Sequence, residues 1–251
     1  MSKVKNILVV YVVFGLLGCA ANLTPRYVGS LPPPMPLDPQ SSAIGVCMGF
    51  KQLLGDVSYK TEKVYFIKVG EKRDLYNQDS FIQSNCKRGD QIYLLNADPG
   101  RYAIVACSYL AYGSYVSGGI TRKNVDEYTV FFPKESISTT EVTVAPGTVV
   151  FMGEYIIKES TSFSDPDDSQ LHYAQMIAPG AKTRVLSVLF SDLLGRSSRV
   201  CRKGVFVEEK HDQRTEIKFL MKALTYFVDT GWEYVFRKRL EELKEFNQNV
   251  P

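Results

Sequence analysis

Few residues in this chain have the type and spacing that chemistry needs. There are two histidines, His172 and His211, far apart in sequence, which starves histidine-based metal and triad chemistry of parts. The motifs G-x-S-x-G, H-E-x-x-H, G-x-G-x-x-G and G-x-x-x-x-G-K-[ST] do not occur. Ser84-Asn85-Cys86-Lys87 fits S-x-x-K by letter count alone and reads as a loop. No catalytic residue, metal ligand or cofactor is assigned, and the expectation is a protein that is not an enzyme. Asp165, Asp167 and Asp168 offer carboxylates at calcium-like spacing but lack the glycine and distal glutamate of an EF-hand, so a solvated turn is expected. Tyr109, Tyr112 and Tyr115 stand in a glycine-containing stretch that either presents aromatic faces to a ligand or covers a loop. Lys182, Arg184, Arg196, Arg199, Arg202 and Lys203 outweigh Asp192 by five charges, enough to attract anionic headgroups if they share a face. A solvated helix face and loop is the favoured reading of that run.

Cysteine is the informative residue. Cys47 and Cys107 lie in apolar runs, whereas Cys86 and Cys201 sit beside cations that can lower a thiol pKa. Four such cysteines allow three disulfide pairings, and bridges and buried thiols stay equally open. No C-x-x-C spacing exists. The fifth, Cys19, follows Lys3, Lys5 and an apolar run at 7–17, the three-part layout of a secretory signal. That run is too short for the roughly 20 helical residues that cross about 30 Å of hydrocarbon.

Leu16-Leu17-Gly18-Cys19 resembles the lipobox of bacterial lipoproteins, with an aliphatic residue three places before the cysteine and a small one just before it. The resemblance implies cleavage before Cys19, a diacylglyceryl group on its thiol and acylation of the new amino group. Membrane lipid held through acylated Cys19 is then a partner. At about 0.8 kcal/mol per buried methylene, two or more chains hold durably where one holds marginally. Ala20 in place of Asp after the cysteine implies sorting to the outer membrane. The mature chain, without Lys3 and Lys5, has 28 basic and 27 acidic residues, a poor balance for nucleic acid.

The elements around these residues divide the chain into four parts: a signal peptide at 1–18, the lipidated cysteine with a Pro-rich tether at 19–42, a β-sandwich at 43–180 and a helical region at 181–251 packed on the sheet. Leu31-Pro32-Pro33-Pro34-Met35-Pro36-Leu37-Asp38-Pro39 favours extended polyproline backbone and reads as a spacer, or as a strip packed along the domain edge. Strands are expected at 43–50, 63–69, 91–96, 101–110, 127–132, 139–144 and 148–157, with the clearest alternation from Thr139 to Val144. Loop composition fills 158–170, followed by a short apolar piece at 171–178. Helices are expected at 185–194, ended by Gly195, then at 213–228 and 231–246. The second carries a stripe of Ile217, Leu220, Met221, Leu224 and Phe227 and an Asp212 cap. The third has Trp232, Val235, Phe236, Leu240 and Leu243 inward and a Thr230/Glu233 capping box. The fold class is therefore α+β, an antiparallel β-sandwich followed by C-terminal helices.

Asp98-Pro99-Gly100-Arg101-Tyr102 and Ala145-Pro146-Gly147-Thr148-Val149 place Pro-Gly turns before strands. Over residues 43–157 this resembles PEGA-like and carboxypeptidase-regulatory-like β-sandwich modules of bacterial envelopes, and uncharacterised envelope lipoproteins with such turns. The Thr230-Gly231-Trp232 stretch ending in Lys238-Arg239-Leu240-Glu241-Glu242-Leu243 resembles the helical tail of the same lipoproteins. The resemblance brings no catalytic residues. It implies a lipid-anchored cell-envelope binding or structural module, with other envelope proteins as partners. An envelope hydrolase assembled from distant residues, and a subunit of an envelope assembly or secretion complex, are the competing readings.

Overall fold

Runs of Val, Ile, Tyr and Phe that are apolar on both faces have to be covered on both faces, and one sheet with two separate cores does so here. The computed structural model describes residues 33–38, 40–51, 60–70, 81–117, 120–160, 163–181 and 199–248, the side chains at 113–124 excepted. Cys19 and the signal, the tether before residue 33, and the helix expected at 185–194 lie outside them. All described residues belong to one compact unit, Pro32–Pro251.

The strands are β1 (Ser42–Phe50), β2 (Thr61–Val69), β3 (Ile82–Gln83), β4 (Cys86–Arg88), β5 (Gln91–Ala97), β6 (Gly100–Ser117), β7 (Ile120–Phe131), β8 (Val142–Val144), β9 (Val149–Glu159) and β10 (Arg199–Lys210). The helices are α1 (Lys134–Thr139), α2 (Asp168–Ile177), α3 (Gln213–Tyr226) and α4 (Gly231–Gln248). The strands form one mixed, mostly antiparallel sheet in the order β3-β2-β6-β7-β10-β9-β1-β5-β4, with β8 on β6. Two pairs are parallel, β1 with β9 and β7 with β10.

The mostly antiparallel sheet with mainly C-terminal helices agrees with the expected class, but the sheet is single and mixed and is not clearly the expected sandwich. β10 is the physical reason: residues 199–203 pair with β7 and residues 204–210 with β9, so one strand carries the ladder across what would be the gap between two sheets. The two ends of the path also meet, because only Ser84 and Asn85 separate β3 from β4. Ser84 N–H donates to the Val64 carbonyl (2.8 Å) and Asn85 N–H to that of Tyr93 (3.0 Å). The Asn85 side chain exchanges two 2.8 Å bonds with the Leu95 backbone, standing in for a strand neighbour.

Inside the curl lies the larger core, with Ile44, Phe66, Ile104, Val130, Phe132 and Met152 fully or nearly fully buried. Alternation sends Tyr93 and Leu95 to the other face, where Phe219, Leu220 and Phe227 of the α3 region and Trp232, Phe236 and Leu240 of α4 cover them. Tyr93 donates to the Gln91 side chain (2.5 Å), which donates to the Phe219 carbonyl (3.0 Å), so the buried polar groups under α3 are satisfied.

Several local expectations change. Residues 139–144 are not one strand: Pro133 cannot extend the β7 ladder, α1 starts after it, and Thr140 ends α1, accepting from Ile104 N–H at 2.8 Å. The piece at 171–178 belongs to α2, started by Asp167 and Gln170 in a reciprocal capping box that the acidic composition masks. Residues 181–251 are not all helical, because they hold β10, a strand internal to the sheet. Met221 is largely exposed; α3 instead buries Phe219, Leu220 and Ala223. Asp212 caps α3 as expected. Glu233 accepts from Asp229 N–H (2.9 Å) and not from Thr230, whose hydroxyl accepts from Trp232 N–H at 3.3 Å, so the expected reciprocal box is not formed.

The described tether residues pack on the domain, the second of the two readings of the proline run. Trp232 Nε1 donates to the Pro34 carbonyl (2.6 Å), and Asn96 bonds both the Met35 carbonyl and Leu37 N–H.

Candidate functional site

A half-open groove of about 320 Å³ runs between the β8–β9 connection and the helical layer. Thr143, Thr148, Val149, Val150 and Phe151 form one wall, and Glu216, Val235, Lys238, Arg239 and Glu242 the other. β9 reaches this wall because the Pro146-Gly147 turn, with Gly147 at φ 67°, redirects the chain from β8. Among the described ladders, residues 149–151 pair only with β1, and β10 joins β9 from Glu154 onward. One strand edge therefore lies along the groove.

The charges in the groove are arranged unevenly. Arg239 bonds Glu216 at 2.9 Å and lies 3.5 Å from Glu242, so its charge is neutralised in place. Lys238 has no ion pair among the described residues. An apolar floor, one uncompensated cation and a strand edge suit a ligand that is extended, partly apolar and anionic at one end. Among the described residues the lining contains no cysteine or histidine.

The four cysteines other than Cys19 are free thiols in the structure. Strand order keeps them apart: β5 lies between Cys47 and Cys86, and β7 between Cys107 and Cys201. Two strand spacings, about 10 Å, exceed the roughly 7 Å limit for a bridge. Burial pushes all four thiols up, Cys47 to about 12 and Cys201 to about 11, so the neighbouring cations do not activate Cys86 or Cys201.

The other sequence candidates disperse. Asp167 caps α2 and also accepts from Lys134 N–H, while the Asp165 carbonyl accepts from Lys203 Nζ at 2.7 Å. Among the described residues no group of three or more His, Cys, Asp and Glu side chains is placed to hold a metal ion. Arg199 pairs with Glu127, Arg202 lies over Tyr128, and Lys203 holds the 164–165 backbone, so these basic residues do not form a common face. Lys182, Arg184, Asp192 and Arg196 fall outside the described residues. Tyr109 is buried and Tyr112 exposed; the Tyr115 side chain is not described. Ser84 and Lys87 serve the β3–β4 join and a Glu62 ion pair at 2.6 Å. His211 sits edge-on to Tyr155 and against Gly153, whereas His172 is edge-on to Tyr173, so the two have different neighbours.

One polar cluster was illegible in sequence because its members lie on four strands. Tyr109 of β6 donates to both oxygens of Glu159 on β9 (2.9 and 2.7 Å) and stacks on Tyr128 at 5.1 Å. Arg202 of β10 covers the other member of the stack, 5.1 Å above the Tyr128 ring. Burial raises the Glu159 carboxyl above its ordinary range, against the opposing pull of the Tyr109 bond and the Arg202 charge. Burial, with the Glu159 charge second, raises the Tyr109 phenol. The cluster closes one end of the inner core with a hydrogen-bonded carboxyl.

No family model matches the chain, and comparison with curated proteins and with solved structures finds no match.

Proposed function

We propose that the protein is a lipid-anchored component of a bacterial cell envelope, held in the outer membrane by acyl groups on Cys19, and that its folded body is a binding module. The observation that carries this reading is the order basic residues, short apolar run, Leu16-Leu17-Gly18-Cys19. The body is then a PEGA-like, carboxypeptidase-regulatory-like unit whose two halves, joined through β10, act as the layers of a sandwich. The groove beside β9 is its ligand site, with Val149 and Phe151 giving apolar contact and Lys238 the charge that orients the ligand. Partners are other envelope proteins that present an extended segment.

Growing cells with a clickable fatty-acid analogue tests the anchor. The wild-type chain takes up label and Cys19→Ala does not; an unlabelled wild type, or label persisting in the variant, would falsify it. In-cell crosslinking from a photoreactive residue at Val150 tests the groove, whose occupant is captured in wild type and lost in Lys238→Glu. Capture that is indifferent to Lys238 removes the groove from the proposal.

A further inference from the structure

The described chain begins beside the turn that joins α3 to α4, and the apolar residues around that point are turned outward. Pro34 and Pro36 face the body: the Pro34 carbonyl takes the Trp232 indole proton at 2.6 Å, and a side chain at Gly231 would lie 2.9 Å from Pro36 Cδ. Exposure alternates along this strip, with Pro34 and Pro36 half-buried and Met35 and Leu37 exposed. Met35 is 79% and Leu37 82% exposed, although both backbones are pinned by Asn96. Val228, 55% exposed, lies in the turn itself, and Tyr234, 73% exposed, stands one helical turn from Gly231 on the same face of α4.

We propose that this rim of Met35, Leu37, Val228 and Tyr234 is a membrane-contact surface that inserts its side chains shallowly into a lipid interface. The inference rests on the lipid-anchored reading and adds to it an orientation of the folded body. Three observations favour a bilayer as the occupant. Only residues 20–32 separate the acylated cysteine from Pro33, a reach of at most about 45 Å, so the surface nearest the chain's entry point is held at the bilayer at high effective concentration. The four side chains are three flexible or branched aliphatics and a tyrosine, whose apolar ring and polar tip match the wet–dry boundary. The Pro34 and Met35 carbonyls and Leu37 N–H beneath are bonded to the body, which lowers the cost of seating these side chains at a lipid interface. Asp38 and Asp229 border the rim and are exposed, and Arg237 and Lys238, one helical turn beyond Tyr234, are exposed as well. Acidic and basic neighbours balance, so the contact is carried by the apolar side chains and zwitterionic lipid suffices for it.

The test uses the full lipidated chain reconstituted in phosphatidylcholine–phosphatidylethanolamine vesicles with brominated acyl chains. Tyr234→Trp reports from the rim. Phe246→Trp reports from the far part of α4, 12 residues or about 18 Å along the helix, beyond the 5–10 Å depth of interfacial insertion. The native Trp232 is fully buried and gives a common background. Quenching at 234 at least about twice that at 246, lost when Met35, Leu37 and Val228 are all changed to Ser, supports the inference. Equal quenching at the two sites, no quenching at 234, or quenching that survives the triple change overturns it. Mass and vesicle flotation separate the two levels. A chain without acyl groups defeats the anchored reading and this inference together. An acylated, floating chain without quenching at 234 defeats the contact surface alone.

Discussion

Gly45→Ala is expected to destabilise the fold, although most measures of chain entropy predict the reverse. Gly45 lies mid-strand in β1, opposite Tyr93 on one side and Phe151 on the other. Its φ is not in the left-handed region, so alanine fits the backbone, and removing glycine freedom from the unfolded chain alone stabilises by about 0.4–1 kcal/mol. The new Cβ, however, would lie 2.8 Å from Phe219 Cε1 and closer still to Cζ. That ring cannot swing aside: it is 3% exposed, 4.6 Å from the Phe151 ring and 5.5 Å from the Tyr93 ring. Overpacking of this kind costs about 1–3 kcal/mol, so the net loss is about 1–2 kcal/mol. For a unit of this size that lowers Tm by about 2–8 °C in a calorimetric scan. In a Phe219→Leu background the obstruction is gone, and Gly45→Ala should become neutral or stabilising, a coupling of at least about 1 kcal/mol. A neutral Gly45→Ala in the wild-type background, or an equal loss in both, would refute the proposed seating of Phe219.

Trp232 is the only tryptophan, so its fluorescence should be that of a buried indole, and replacing 33–37 by a Gly-Ser segment should shift its emission to the red; unchanged emission means the proline strip does not cover it. Glu159 has its folded-state pKa raised, so its stabilising share is present when the carboxyl is protonated and is lost as pH rises through the folded value. Wild type should accordingly lose ground to Glu159→Gln in urea titrations as pH rises above the ordinary carboxylate range of about 4, and a pH-independent difference contradicts the buried carboxyl. The thiols of Cys47, Cys86, Cys107 and Cys201 should alkylate slowly at about pH 8 in the folded state and rapidly in denaturant, with the same mass before and after reductant. A native thiol that reacts at the rate of a free one, or a bridged mass, argues against the strand separation described above.

What could be read from the sequence was what depends on neighbours. β1, β2, β5 and β9 are runs of β-branched and aromatic residues closed by turn residues, and α4 carries its stripe in full, with Trp232, Phe236, Leu240 and Leu243 buried. α3 was placed correctly but rotated, because the periodicity cannot know that Gly45 leaves a hole into which Phe219 drops. β10 was missed since its halves serve different neighbours and its end projects Glu208, Glu209 and Lys210 into solvent. The proline strip's partner, Trp232, is 198 residues from Pro34, and the groove joins Thr143 to Glu242. Contacts at such separations have no local signature.

The position of β10 also sets when folding can finish. Residues 1–198 alone would make a ribbon with an open slot between β7 and β9 and a bare aromatic surface on β5, because the strand that fills the slot and the helices that cover the surface come from the last fifth of the chain. Pairings across such separations form slowly. A polypeptide that lacks β10, α3 and α4 therefore cannot close the ladder between β7 and β9 or cover Tyr93 and Leu95, and the fold is completed only when that last part is present.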